Sequence, residues 1–294
     1  MQLRPGCIVL YDQHSRHFSR DREPAVIADC SDDTGKLYTG KLTDFAKRNI
    51  KFAINLLVAQ AKWKEVINPA TDTPYKFKVN FITLTLSAKQ GSLSDKTIKN
   101  EMLSPWIRVM RDTFNLRSYV WRAERQQNGN IHFHFVTDTY ILYSDIRDNW
   151  NHQQAKFHFI DDFRNKNKSE FPNSTDVHSV IHIRNLAAYL VKYMSKNERA
   201  LDTIEGKIWD CSSNLKTKER AALVMSSSDF KMVDELHKSM PDRFIKQDNC
   251  TIIRMSENEM SRFLPSEHRK LYREWLQSVY DAAPVSRYIN HEVS

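Results

Sequence analysis

The sequence predicts an α+β fold, and three stretches carry that prediction. Phe81-Ile82-Thr83-Leu84-Thr85-Leu86-Ser87 alternates apolar and hydroxyl-bearing residues, the period of a half-buried strand with Ile82, Leu84 and Leu86 on its apolar face. Ser118 to Gln126 and Ile131 to Thr137 read as two further strands joined around Asn128-Gly129, a strong hairpin signal. From Thr43 to about Val66, by contrast, Phe45, Ile50, Phe52, Ala53, Leu56, Leu57, Ala61 and Trp63 recur at helical spacing between basic residues, which predicts an amphipathic helix that packs on something.

The remaining elements follow in chain order. Residues 1 to about 40 are polar and irregular, with short apolar runs at Ile8-Val9-Leu10 and Ala25-Val26-Ile27-Ala28, and carry no motif that can be assigned. Asn68 to Pro74 breaks the amphipathic helix and supplies a connector. Residues 94–115 read as a helix starting at Ser94 or Asp95, which Pro105 must kink or split. Residues 143–151 look helical, 161–175 look like a solvated loop, and Val177 to Ile183 is β-branched enough for another strand. A helix bearing Tyr189 and Tyr193 follows. Residues 216–294 read as mostly helical, with a short strand near Thr251 to Arg254. The implied organisation is an N-terminal segment with the amphipathic helix (1–78), a central domain (79–215) and a mainly helical C-terminal extension (216–294).

At 294 residues the chain can bury a full core in one or two domains. Its 44 Lys+Arg against 36 Asp+Glu, for a net charge of +8, favour a polyanionic partner without naming one. Cys7, Cys30, Cys211 and Cys250 lie far apart; they form no zinc-knuckle spacing and no evident disulfide framework, so a reducing compartment is the default reading. The start lacks the apolar stretch of a signal peptide, and no apolar run is long enough to span a membrane. The expectation is a soluble protein of the cytoplasm.

Two motifs bear chemistry. In Ile131-His132-Phe133-His134-Phe135, strand alternation sends His132 and His134 to one face and the three apolar residues to the other. The imidazoles then stand about 7 Å apart along the strand, within reach of one divalent ion. In Tyr189-Leu190-Val191-Lys192-Tyr193-Met194-Ser195-Lys196, helical geometry gathers Tyr189, Lys192, Tyr193 and Lys196 on one face, with Ala187, Leu190, Val191 and Met194 opposite. Either motif alone is commonplace: histidines often sit half-exposed on strands, and tyrosine and lysine suit a solvated helix face. Their order and separation make coincidence the weaker account.

A His-hydrophobic-His strand followed by Tyr-x-x-Lys-Tyr resembles the HUH endonuclease superfamily in its two-tyrosine class, and more narrowly the rolling-circle replication initiators of small single-stranded DNA phages and plasmids. The resemblance covers about residues 81–215. It includes Trp209-Asp210-Cys211-Ser212, similar to a Trp-x-Cys-Ser segment after the tyrosine helix in such proteins, although Asp210 and Ser213 stand where glycine and a basic residue are familiar. It implies a central antiparallel sheet carrying the histidines, with the tyrosine helix laid across a metal site. It further implies metal-dependent nicking of single-stranded origin DNA, a 5′-phosphotyrosine link through Tyr193 or Tyr189, and strand rejoining, in the cytoplasm of a bacterial host.

Cleavage needs a nucleophile, a Lewis acid on the phosphate and stabilisation of the leaving oxygen. A phenol with an ordinary pKa near 10 needs cationic help at neutral pH; Lys192 and Lys196 are placed to give it. Two histidines rarely complete a site for Mg²⁺ or Mn²⁺, so an oxygen ligand is expected. Glu124 matches the position where relatives often carry an acidic one. A strict two-residue turn at Asn128-Gly129 would pair Arg125 with His132 and send Glu124 to the wrong face. A three-residue loop with a bulge, or a five-residue loop, restores Glu124 or Gln126 to the histidine face, and the carboxylate is the better ligand.

His178 and His182 are spread too far along a strand for one ion and read as structural or DNA-facing. Lys216, Lys218, Arg220, Arg269, Lys270 and Arg273 are candidate backbone contacts. No Gly-x4-Gly-Lys-Ser/Thr element occurs, so host helicase and polymerase are the implied partners. Transposases and mobilisation relaxases share the chemistry, and a non-catalytic nucleic-acid-binding protein is the alternative of a different class.

Overall fold

The computed structural model describes residues 1–11, 40–68, 71–167, 169–179, 186–195, 203–217, 220–247 and 249–284. In chain order these form β1 (Gln2–Arg4), β2 (Cys7–Tyr11), α1 (Asp44–Gln60), β3 (Lys64–Asn68), β4 (Thr73–Phe77), β5 (Asn80–Leu84), α2 (Asp95–Ile98) and α3 (Ser104–Phe114). There follow β6 (Tyr119–Arg125), β7 (Ile131–Thr137), α4 (Tyr143–Ala155), α5 (Asp161–Lys166), β8 (Thr175–Ser179), α6 (Leu186–Met194) and β9 (Trp209–Cys211). The C-terminal part adds β10 (Ala221–Ala222), α7 (Ser227–Ser239), β11 (Phe244–Gln247), β12 (Cys250–Arg254), α8 (Glu257–Phe263) and α9 (Ser266–Asp281).

The chain divides into two compact units, one of residues 1–29 with 216–282 and one of residues 30–215 with 283–294. The first holds an antiparallel sheet in the order β10-β1-β2-β12-β11. The second holds an antiparallel sheet in the order β8-β5-β7-β6-β9 and, apart from it, the two-stranded β3–β4 ribbon. The expected α+β class with a central antiparallel sheet is what the structure shows.

Period-two alternation gives the larger unit's sheet two unlike faces. On one, Ile82, Leu84, Phe133 and Phe135 are buried beneath α3 and α4, with Trp106 edge-on to Phe135 at 5.0 Å and Trp150 edge-on to Phe133 at 6.1 Å. Side chains of this size contribute about 1.5–3 kcal/mol each when buried, so this face anchors the sheet. On the other face stand Phe81, Thr83, Arg122, Glu124, His132 and His134, and there α1 packs against both β6 and α6.

Local expectations met several corrections. The amphipathic helix ends at Gln60, and Lys64–Asn68 is a strand: Lys64 to Val66 continue the apolar spacing too weakly to hold a helix against pairing with β4. Ser94 caps the helix that follows, its hydroxyl accepting from the Thr97 N–H at 3.0 Å. Pro105 does not break that helix, because residues 99–103 widen into a π turn in which the Ser104 N–H reaches Lys99 O, which absorbs the missing donor. Asp161–Lys166, expected as loop, makes a short helix. Residues 180–185, part of the expected Val177–Ile183 strand and including His182, lie outside the described residues.

Candidate metal and tyrosine site

The site begins with a turn. The Gln126 N–H donates to Asn130 O at 2.8 Å and the Gly129 N–H to Gln126 O at 3.0 Å, with Gly129 at φ +85°. This is a three-residue loop closed by a left-handed residue, where glycine avoids the strain a side chain would bring. Gln90 and Ala88 brace it: the Gln90 N–H donates to the Asn130 side chain, whose amide donates to Ala88 O. The register that results sets Glu124 directly opposite His132 and Arg122 opposite His134. The odd-numbered loop therefore places the carboxylate on the histidine face, and Gln126, in the turn, is not the residue paired with them.

His132 Nε2 and His134 Nε2 lie 3.4 and 3.1 Å from the same oxygen, Glu124 Oε2. The three groups could hold one ion, their ligand atoms all falling within 4.8 Å of one another. Hydrogen bonds with His132 and then His134 hold the Glu124 carboxyl far below its ordinary range, against the opposing effect of burial and with added help from Arg122. Burial in turn holds His134 below its ordinary value, Glu124 opposing and His132 and Arg122 reinforcing the shift. The pair is therefore an ionised carboxylate beside an imidazole that stays neutral at pH 7, the protonation states that ligation needs.

His134 Nδ1 lies 3.1 Å from Thr83 Oγ1; a proton on Nδ1 donated there would fix Nε2 as the ligating nitrogen. His132 Nδ1 is buried without a hydrogen-bond partner, so its ring lacks such a brace. Two imidazoles and one carboxylate on a single face fit a divalent cation and leave positions open for a substrate oxygen.

The tyrosine helix meets this cluster through one ring. Phe81 stacks on His134 with centroids 5.2 Å apart and lies 6.1 Å from the Tyr193 ring. Tyr193 is 44% exposed, and Tyr189, one turn earlier, is 4.8 Å from it, centroid to centroid. The Tyr189 phenol is pushed above its ordinary pKa, first by its hydrogen bond with Tyr193 and then by burial. Leu190 and Met194 are buried on the opposite side, as the helical pattern requires. Lys192 is exposed beside Tyr193, and Lys196 lies outside the described residues.

Arg122 was not singled out by its sequence. It is completely buried, and its guanidinium donates to Tyr193 O at 3.2 Å, a cation at a helix C-terminus where the carbonyl dipoles favour one. One side chain thus ties the metal-facing strand to the tyrosine helix. The signal lay in hairpin parity: once the loop has three residues, Arg122 must share a face with Glu124.

The segment after the tyrosine helix is pinned as well. Arg125 forms a buried pair with Asp95 at 2.6 Å and donates to Thr203 O, while the Lys99 ammonium donates to Glu205 O and Lys207 O. His178 is exposed on β8 and paired with Asp176 at 2.8 Å. Among the proposed backbone contacts, Arg269, Lys270 and Arg273 lie together on α9, Arg220 is half-buried, and Lys218 is outside the described residues.

An antiparallel sheet with a His/His/Glu cluster, faced by a helix that presents an exposed tyrosine, defines a class of candidate metal-dependent phosphoryl-transfer site. Residues 79–198 match a protein-family model of replication-associated proteins, the ORF2 group, a span that takes in Glu124, His132, His134, Tyr189, Lys192, Tyr193 and Lys196. Over that span the chain is similar to the replication-associated proteins of this family, in keeping with the resemblance carried by its two motifs, and the match supports a role in initiating DNA replication. No curated protein and no solved structure matches the chain. No helix among the described residues is long and apolar enough to cross a membrane.

Proposed function

We propose that this protein is a rolling-circle replication initiator that nicks and rejoins single-stranded origin DNA by tyrosine transesterification. The observation that carries the reading is the Phe81 bridge, which leaves the exposed Tyr193 one aromatic ring away from His134. Glu124, His132 and His134 would hold the cation, Mn²⁺ or Mg²⁺, the imidazole pair favouring Mn²⁺. When bound, it supplies the Lewis acidity that polarises the scissile phosphate.

The chain's own residues do the rest. Tyr193 Oη forms a bond to phosphorus as the bond to the 3′ oxygen breaks; the phenol proton goes to solvent and the departing oxygen takes one up as the 3′-OH. Bond energy is conserved in the phosphotyrosine, so the 3′-OH of a strand can reverse the step and rejoin. Lys192 lies where it can neutralise the phenolate or the phosphate, Lys196 serves the same face, and Arg122 holds the helix end. Tyr189, whose proton is held more tightly than usual, is assigned the later cleavage that releases the displaced strand. Elongation and unwinding fall to a host polymerase and helicase.

The test is to incubate the protein with labelled single-stranded DNA of varied sequence and Mn²⁺, and to look for a denaturation-resistant protein–DNA adduct. The adduct should vanish with EDTA and with Tyr193→Phe, and persist with Tyr189→Phe. DNA binding without an adduct in any sequence would instead support a non-catalytic binding protein.

A further inference from the structure

The β3–β4 ribbon stands outside both five-stranded sheets, and its two faces differ sharply. Register pairs Val66 with Tyr75 and Lys64 with Phe77 on one face, and Glu65 with Lys76 and Ile67 with Pro74 on the other. The first face is the anchor. Phe77 is completely buried and meets Tyr140 edge-on at 5.4 Å, Tyr75 meets Tyr140 at 6.3 Å, and the Lys64 ammonium donates to Asp138 O at 3.0 Å.

The second face is turned to solvent and carries Trp63 at 55% exposure and Ile67 at 52%. Together with Tyr143 and the candidate nucleophile Tyr193 they are the large apolar side chains left exposed among the described residues of this unit. Lysines frame them. The Lys78 ammonium sits 6.0 Å from the centre of the Trp63 ring, and Lys62 and Lys76 are exposed on either side, against Glu65 alone.

An indole and a branched aliphatic side chain left in water are costly decorations for a strand. Protein-binding patches are depleted in lysine at their centres, whereas a lysine-framed aromatic is what a nucleic-acid strand needs: a ring for a base and ammonium groups for its phosphates. Position agrees with that occupant. Trp63 follows the last turn of α1, the helix packed against α6, and the ribbon is anchored at Asp138, four residues along the chain from His134. At strand rise that separation is about 13 Å.

We propose that the outward face of the β3–β4 ribbon, centred on Trp63, is a stacking platform for single-stranded DNA flanking the strand engaged at the tyrosine site. The proposal rests on the reading of this protein as acting on DNA, and it can fail separately from the nicking chemistry. Fluorescence anisotropy with a short labelled oligothymidylate in EDTA, where no cleavage occurs, isolates binding. Trp63→Ala should weaken binding about tenfold, within the range of one base–aromatic stack; Trp63→Phe should recover most of it. Lys76→Ala and Lys78→Ala should each lower the slope of log affinity against log salt by roughly 0.7. Because Trp63 is half exposed, an unchanged melting temperature checks that these variants fold.

Adduct formation by Trp63→Ala at saturating DNA should match that of the unaltered protein. Wild-type affinity in Trp63→Ala at every salt concentration would overturn the platform, whether or not an adduct forms. So would an equal loss on a duplex of the same length, because the ring could not then be stacking on an unpaired base. Weakened binding in Trp63→Ala with no adduct from the unaltered protein would uphold the platform and remove the nicking reading.

Discussion

Glu124 and Asp229 are both shielded carboxylates with histidine against them, one in each compact unit, yet their surroundings give them opposite uses. Asp229 accepts from the Ser226 N–H and the Ser226 hydroxyl, both at 2.7 Å, and pairs with His268 at 2.5 Å. Burial alone would raise its carboxyl; those hydrogen bonds hold it below its ordinary value. It closes the capping box of α7 and has its hydrogen-bonding capacity engaged in local structure. Glu124 is approached through one oxygen by two imidazole nitrogens that share a strand face. A carboxylate near a histidine is therefore weak evidence of a metal site. Convergence of several ligand atoms without competing backbone donors is stronger evidence.

The sharpest way to break that contrast is to remove one histidine from each unit. His134→Ala should abolish calorimetric Mn²⁺ binding, a loss exceeding the about 10- to 100-fold typical of outer-shell changes, and adduct formation with it. His268→Ala should leave Mn²⁺ stoichiometry unchanged and lower stability by about 1.5–3 kcal/mol, the worth of a hydrogen bond to a charged group. Metal loss in the second variant, or retention in the first, would erase the distinction.

Arg122→Met probes the link between strand and helix. Removing one partner from a buried ionic network costs about 3–5 kcal/mol, so a denaturant melt should show a large loss. Adduct rate should fall more than Mn²⁺ affinity, and Arg122→Lys should recover part of it. An unchanged rate would mean that the Tyr193 carbonyl needs no such tether.

The smallest expected effect concerns a buried carboxylate outside either group. Burial raises Asp138 to about 6, with Lys64 and Arg117 pulling against it. A carboxyl whose pKa is raised on folding favours the folded state while protonated, and that contribution is lost as pH rises from its unfolded value of 3.8 to about 6. Asp138→Asn should therefore be about 1–3 kcal/mol more stable than the unaltered protein at pH 7.5, with no gain at pH 4. Melting curves at the two pH values check the sign.

Much of the candidate site could be read from short-range pattern. Alternation placed His132 and His134 on one face, helical spacing grouped Tyr189 with Tyr193, and Asn128-Gly129 marked the hairpin. Turn length was left open between several possibilities, because Asn-Gly suits more than one loop and only the bracing by Ala88 and Gln90, some forty residues away, selects among them. Arg122 was hidden for the same reason. The first unit's sheet was illegible: β2 pairs with β12 across more than two hundred residues of chain, and no local period records a partner that distant. The β3 strand was obscured by the helix before it, since Ala61 and Trp63 extend the helical spacing beyond the point where the helix ends.

The most direct measurement is to digest the Mn²⁺-dependent protein–DNA adduct and identify by mass spectrometry the peptide that carries the nucleotide. The account predicts a phosphodiester on Tyr193 in the first round of cleavage, absent from protein bearing His134→Ala. A nucleotide attached to a residue outside the α6 helix, or an adduct that forms equally well without Glu124, His132 and His134, would contradict it.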